Sequence, residues 1–199
     1  MVTDRRGQVF TLEAVVAALL IVSSVAFALS VTAATPLSGS ASNRNVENQQ
    51  AAFGAGLLDT ARATDDLRST LLYWDDTDGG FHDAGPKGYY LSCSFDTPLG
   101  DLLERSLEDN GIACIASLGY RSETGERRSE RLVYLGEPTD NAVAVRTSVA
   151  LYDDDVLLDA AGNPTGVTLA EATTFYAPDA APGDPLYNVV EVEVILWRM

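Results

Sequence analysis

Lysine is nearly missing from this chain, with Lys87 alone among 199 residues. Histidine is as scarce: only His82 is present, so no site that needs two imidazoles can be built. Cysteine occurs twice, at Cys93 and Cys114. Neither C-x-x-C nor a cysteine–histidine spacing is there to hold a metal. The Gly-x-Ser-x-Gly and phosphate-loop patterns are missing, and no repeat of solenoid length occurs. The chain therefore reads as a non-enzyme with no metal and no cofactor.

Positive charge is also in short supply. Thirteen lysines and arginines face 29 acids, for a net charge of −16 and a pI of about 4.2. Such a surface repels phosphates, which excludes nucleic acid as a partner. The acid is spread along the chain, in the manner of halophilic proteins whose self-repulsion is screened by high salt. Acidity this general makes any one pair of carboxylates uninformative. Asp75-Asp76-Thr77-Asp78-Gly79-Gly80 reads as a turn. No proper acidic triad precedes its glycines and no glutamate closes it, unlike a calcium loop. Asp153-Asp154-Asp155 reads as a solvated turn, and His82 as a surface or partly packed residue. Arg127, Arg128 and Arg131 form a basic cluster. They offset neighbouring acids, or else face an acidic subunit partner.

Long apolar runs are limited to the start of the chain. No charged residue occurs between Glu13 and Arg44, and Ala14 to Val31 is apolar apart from serines. As a helix that run is about 27 Å long, close to the hydrocarbon thickness of a bilayer. The lipid bilayer is thus the first expected partner. Arg5 and Arg6 precede the run. Positive charge stays on the cytoplasmic side, so a single-pass protein is expected in the cell membrane, with its N-terminus inside and its acidic C-terminal domain outside. A cleaved secretory signal and a plain uncleaved anchor are competing readings.

The flanking residues carry a third reading. Arg5-Arg6-Gly7-Gln8 and Phe10-Thr11-Leu12-Glu13 resemble the N-terminus of archaeal type IV pilin-like proteins with a class III signal. The chain is also similar to haloarchaeal membrane proteins that begin this way and end in a valine-rich strand. The resemblance implies cleavage by a prepilin peptidase between Gly7 and Gln8. It implies other pilin-like subunits as partners, and a minor pilin or pseudopilin role in assembly. Glu13 is the sixth residue after the presumed cut, where the family glutamate is usually fifth. A carboxylate at a membrane edge needs a partner, and the freed amino group of Gln8 would supply one. The other account of Glu13 is attraction to the positive end of the helix dipole. A membrane-anchored binding module that never polymerises is the alternative function.

The remainder is expected to be α+β. The segments are a basic leader at 1–7, a transmembrane, pilin-like helix at 8–35, a hinge at 36–45 and an extracellular domain at 46–199. The long helix would pack on, or lead to, a mainly antiparallel sheet. A second helix is expected from about Val46 to Tyr73, with Phe53, Leu57, Ala61, Leu67 and Leu71 on its apolar stripe. Thr97-Pro98 opens a short helix that Asn110-Gly111 ends. Strands are expected at Lys87–Phe95, Ile112–Tyr120, Arg131–Leu135, Ala142–Tyr152 and Tyr187–Trp197. Cys93 and Cys114 are a candidate disulfide pair, with two free thiols the competing reading. If the leader is removed as the resemblance implies, mass spectrometry of the mature protein finds Gln8 at its N-terminus. An intact Met1 or Val2 terminus contradicts it.

Overall fold

The computed structural model describes residues 4–107 and 110–198, without the side chains of residues 4–12 and 28–44. Contacts divide the chain into two units, Met1–Val46 and Glu47–Met199.

The first helix, α1, covers Asp4–Ala63. The stretch 36–45, read from the sequence as a hinge, is helical backbone within it. The expectation of a transmembrane helix over 8–35 is corrected. Among the described residues, no helix is long and apolar enough to cross a membrane. Described side chains in the apolar run cover residues 13–27.

In the second unit, α1 buries Gln50, Gly54, Leu57, Leu58 and Ala61. These recur at three or four residues and make one stripe. Phe53 was expected on it but is 40% exposed. The reason is the closeness of the sheet. A Cβ on Gly54 would lie 2.8 Å from Leu196 Cδ1 and 3.0 Å from Val145 Cγ2. Gly54 takes the contact, and the neighbouring ring turns outward. The expected single helix to Tyr73 is also corrected. Asp65 adopts a left-handed φ of 66°, so α1 stops and a short α2 restarts over Asp66–Leu71. Helix α3 covers Pro98–Leu107. The Thr97 hydroxyl oxygen accepts the Gly100 N–H at 3.1 Å, as an N-cap does.

The main sheet is antiparallel, with strands in the order β4-β3-β8-β5. These are β3 (Ile112–Arg121), β4 (Arg127–Tyr134), β5 (Val143–Tyr152) and β8 (Leu186–Arg198). The last strand is central. Val190, Val192, Val194 and Leu196 are at most 1% exposed, while Val189, Glu191, Glu193 and Ile195 alternate onto the opposite face. Opposite this buried row lie Cys114, Ala116 and Leu118 of β3 and Val145 and Val149 of β5. Two small antiparallel hairpins complete the unit: β1 (Trp74–Asp75) with β2 (Gly80–Phe81), and β6 (Val156–Leu158) with β7 (Pro164–Thr168). The strand expected at Lys87–Phe95 is not formed. That segment is a loop with a lone bridge from Tyr90 to Val133. Gly88, at a φ of 80°, interrupts its extended course.

A side chain at Gly54 overpacks the helix–sheet contact. Gly54→Leu should therefore lower the unfolding free energy by about 1–3 kcal/mol. Gly56 faces open space, so Gly56→Ala should raise it by about 0.5–1 kcal/mol through helix propensity. Denaturant titration of the two variants checks this; equal effects would contradict the packing account.

Candidate functional site

Two regions hold the residues singled out by the sequence: the apolar stretch of α1 in the first unit, and the loops and open sheet face of the second.

In the first unit every residue from Glu13 to Phe27 is exposed. Val15, Val16, Leu19, Leu20, Ile21, Val22, Val25 and Phe27 are each 49–71% exposed. They occur on all sides of the helix rather than on one stripe. Ser24 satisfies its hydroxyl internally, donating to the Ile21 carbonyl oxygen at 2.8 Å. Glu13 is exposed at the start of this stretch and makes no ion pair among the described residues. Gly7 and Gln8 lie in α1 by backbone, and the Gln8 side chain is outside the described residues.

In the second unit Cys93 and Cys114 are joined as a disulfide with Cα atoms 6.1 Å apart. Both are buried. The bond fastens the loop before α3 to β3. The same loop is held by Tyr90. Its N–H donates to the Leu132 carbonyl at 2.9 Å, its carbonyl accepts the Tyr134 N–H at 2.9 Å, and its ring stacks on Phe95 with centroids 4.4 Å apart.

The acidic turns are internal fasteners. Asp75 Oδ1 accepts the N–H groups of Thr77 and Asp78 at 2.8 and 3.2 Å. These two donors hold its carboxyl below the ordinary value. Asp76 reaches across the chain and accepts the Thr173 and Thr174 N–H groups at 2.7 and 2.8 Å. Burial acts to raise its pKa, but the Thr174 and Thr173 donors outweigh it and the net shift is downward. Asp155 was expected in a solvated turn, but its side chain is only 15% exposed. Both its oxygens lie 2.7 Å from Arg68 Nη1, tying α2 to the β5–β6 turn. His82 places Nε2 3.0 Å from the Leu158 carbonyl oxygen, and its ring meets Tyr73 edge-on at 4.9 Å. Among the described residues no group of three or more His, Cys, Asp or Glu is placed to hold a metal.

A cavity of about 380 Å³ lies between the start of α3 and the β6–β7 turn, lined by Ser69, Tyr73, Asp96, Thr97 and Asp101 among others. The Tyr73 hydroxyl lies 2.9 Å from the Ala160 carbonyl oxygen and 3.2 Å from Asp83 Oδ2. Burial, followed by the bond to Asp83, pushes it up to about 12, so it stays protonated at neutral pH. Sequence reasoning missed this cavity because its lining comes from three separated segments.

The outer face of the sheet carries Arg127 and Arg131 of the basic cluster, while Arg128 is opposite Tyr120 on the other face of β4. Arg127 pairs with Glu191, and Arg146 with Glu193. Arg131 lies over the Tyr134 ring at 4.8 Å. Arg128 pairs with Glu126 at 3.0 Å. The cluster thus offsets nearby acids in part.

The chain belongs to a family of unknown function (DUF7288), matched over residues 6–196. No curated protein and no solved structure matches it.

Removing the Asp76 carboxylate leaves the Thr173 and Thr174 donors without their partner. These bonds are at the surface, so Asp76→Ala should lower the unfolding free energy at pH 7 by about 0.5–1.5 kcal/mol. The folded-state pKa values of Asp75 and Asp76 are lowered from 3.8. Their stabilisation is therefore complete above that value and is lost as pH falls through the folded values. Denaturation followed from pH 5 to pH 2 should show a shallower acid loss in the variant; an unchanged slope would contradict this role.

Proposed function

We propose that this chain is a structural, pilin-like assembly subunit. Its apolar N-terminal helix packs against like helices, and its acidic unit is displayed outside the cell. One observation carries this reading: large apolar side chains surround the helix between Val15 and Phe27 and are exposed on every side. A helix that is apolar all round is stable only when something covers it on all sides. Ala17, Ala18, Ser23 and Ser24 are small enough to let helices approach closely.

Two further features support the reading. The Cys93–Cys114 disulfide suits an oxidising compartment rather than the cytosol. The net charge of −16 keeps the displayed unit soluble and apart from nucleic acid. In this account a prepilin peptidase cuts between Gly7 and Gln8, and the new amino group pairs with Glu13 of the same or a neighbouring copy. The fastening roles of Asp75, Asp76 and His82 support a structural rather than catalytic second unit.

Sedimentation of the full chain in mild detergent tests the assembly. The wild-type chain should form oligomers. Leu20→Arg places a charge inside the helix contact and should weaken self-association by more than about tenfold, the equivalent of ~1.4 kcal/mol. A wild-type chain that stays monomeric at every concentration, its apolar stretch covered by detergent or lipid alone, would overturn the proposal.

A further inference from the structure

The sheet of the second unit has one covered face and one open face. Helical residues such as Gly54 meet the row of Val145 and Leu196. On the opposite face Val189, near the start of the inner strand β8 and two residues before its first partner on β3, is 45% exposed. The register puts Gly119 of β3 beside Glu191 of β8 and Ser129 of β4, and Arg121 beside Arg127. Arg146 and Glu193 are partners between β5 and β8. The Arg127 guanidinium lies over Gly119, and beside it is a hollow of about 190 Å³ lined by Arg121, Arg127, Val189 and Glu191 among others.

The charge on this face runs against the rest of the chain. Glu191 and Glu193 are answered within the face by Arg127 and Arg146. Arg121 and Arg131 have no carboxylate in ion-pair reach among the described residues. Arg121 Nη1 donates only to the Gly125 carbonyl oxygen at 3.2 Å, and Arg131 lies over the Tyr134 and Tyr89 rings. The face therefore has an excess of guanidinium groups in a protein of net charge −16. Charged arginines on an edge strand such as β4 also discourage strand pairing. That role does not require an exposed apolar side chain at Val189 or a hollow beside it.

We infer that the open face of the β4-β3-β8-β5 sheet is a docking surface for the acidic surface of a second copy of this chain, with Arg121 and Arg131 receiving its carboxylates. The inference rests on the assembly reading above, because packed N-terminal helices hold neighbouring acidic units at high effective concentration. Basic face and acidic partner are different surfaces, so the contact is head-to-tail and repeats from copy to copy. Val189 supplies an apolar contact, and the guanidinium groups set the orientation.

The test uses the full chain with the photo-crosslinking residue p-benzoylphenylalanine at position 189. Illumination of the assembled protein should give a covalent dimer, with the joined peptide from an acidic segment of the second copy. The same residue at Asp59, on the helix covering the other face, should give little dimer. Arg121→Ala with Arg131→Ala should reduce the position-189 adduct by about fivefold. Arg121→Lys with Arg131→Lys should restore most of it, which separates lost charge from misfolding. Assemblies that form without an adduct at position 189 overturn the inference and leave the assembly reading standing. If no assembly forms, that reading fails, and the crosslink is measured on concentrated detergent-solubilised chain. A dimer there that depends on Arg121 and Arg131 still supports the docking surface, and its absence rejects it. An adduct insensitive to the double alanine variant also rejects it.

Discussion

Water is a poor solvent for the side chains between Val15 and Phe27, and the account depends on that. Each large aliphatic group left exposed forgoes about 1.5–3 kcal/mol relative to full burial. A one-sided stripe would be relieved by a single partner surface. Here the apolar groups point in every direction around α1, so one flat surface cannot cover them. Several neighbouring helices can, and small residues such as Ala17 and Ala18 let them come close.

The second unit solves a different problem, which is to hold together under heavy like charge. Its centre is β8, whose valine row is buried against helices while its glutamates remain on the open face. Around this core the acids are put to use. Asp76 gathers the N–H groups of Thr173 and Thr174, and Asp155 binds Arg68. The disulfide and the Tyr90 contacts fix a loop that forms no sheet ladder of its own. Buried Asn188 donates to the carbonyls of Arg121 and Pro178 at 2.9 and 2.8 Å, joining the loop before β8 to the end of β3. Charge that would otherwise only repel is thereby tied to backbone donors and arginines.

Much of the sheet could be read directly from the chain. The period-two alternation of Val143 to Leu151 and of Val190 to Leu196 places the strands and their buried faces, and Thr97-Pro98 marks the start of α3. The misreadings have local causes. Phe53 is the larger apolar residue, but Gly54 faces the sheet because the helix approaches too closely for a side chain. Asp65 adopts a left-handed backbone, which an aspartate does not announce, so one expected helix is two. Tyr89 and Tyr90 suggest a strand, yet Gly88 and the disulfide impose a loop. The contact between Asp76 and Thr173 spans 97 positions and has no local signature. The apolar run is plain as composition, whereas the exposure of its side chains from Glu13 to Phe27 is not. Of the candidate site residues, the cysteine pair has a definite place in the structure, whereas Gly7 and Gln8 are known by sequence pattern.

The most direct test of the central claim is oxidative crosslinking of full chain carrying Leu20→Cys. Both native cysteines are already joined, so the new thiol has only a neighbouring copy's thiol to meet. Packing of like helices predicts rapid formation of a covalent dimer that dilution into excess detergent suppresses. A thiol that stays free at concentrations where the chains share the same micelles would contradict it.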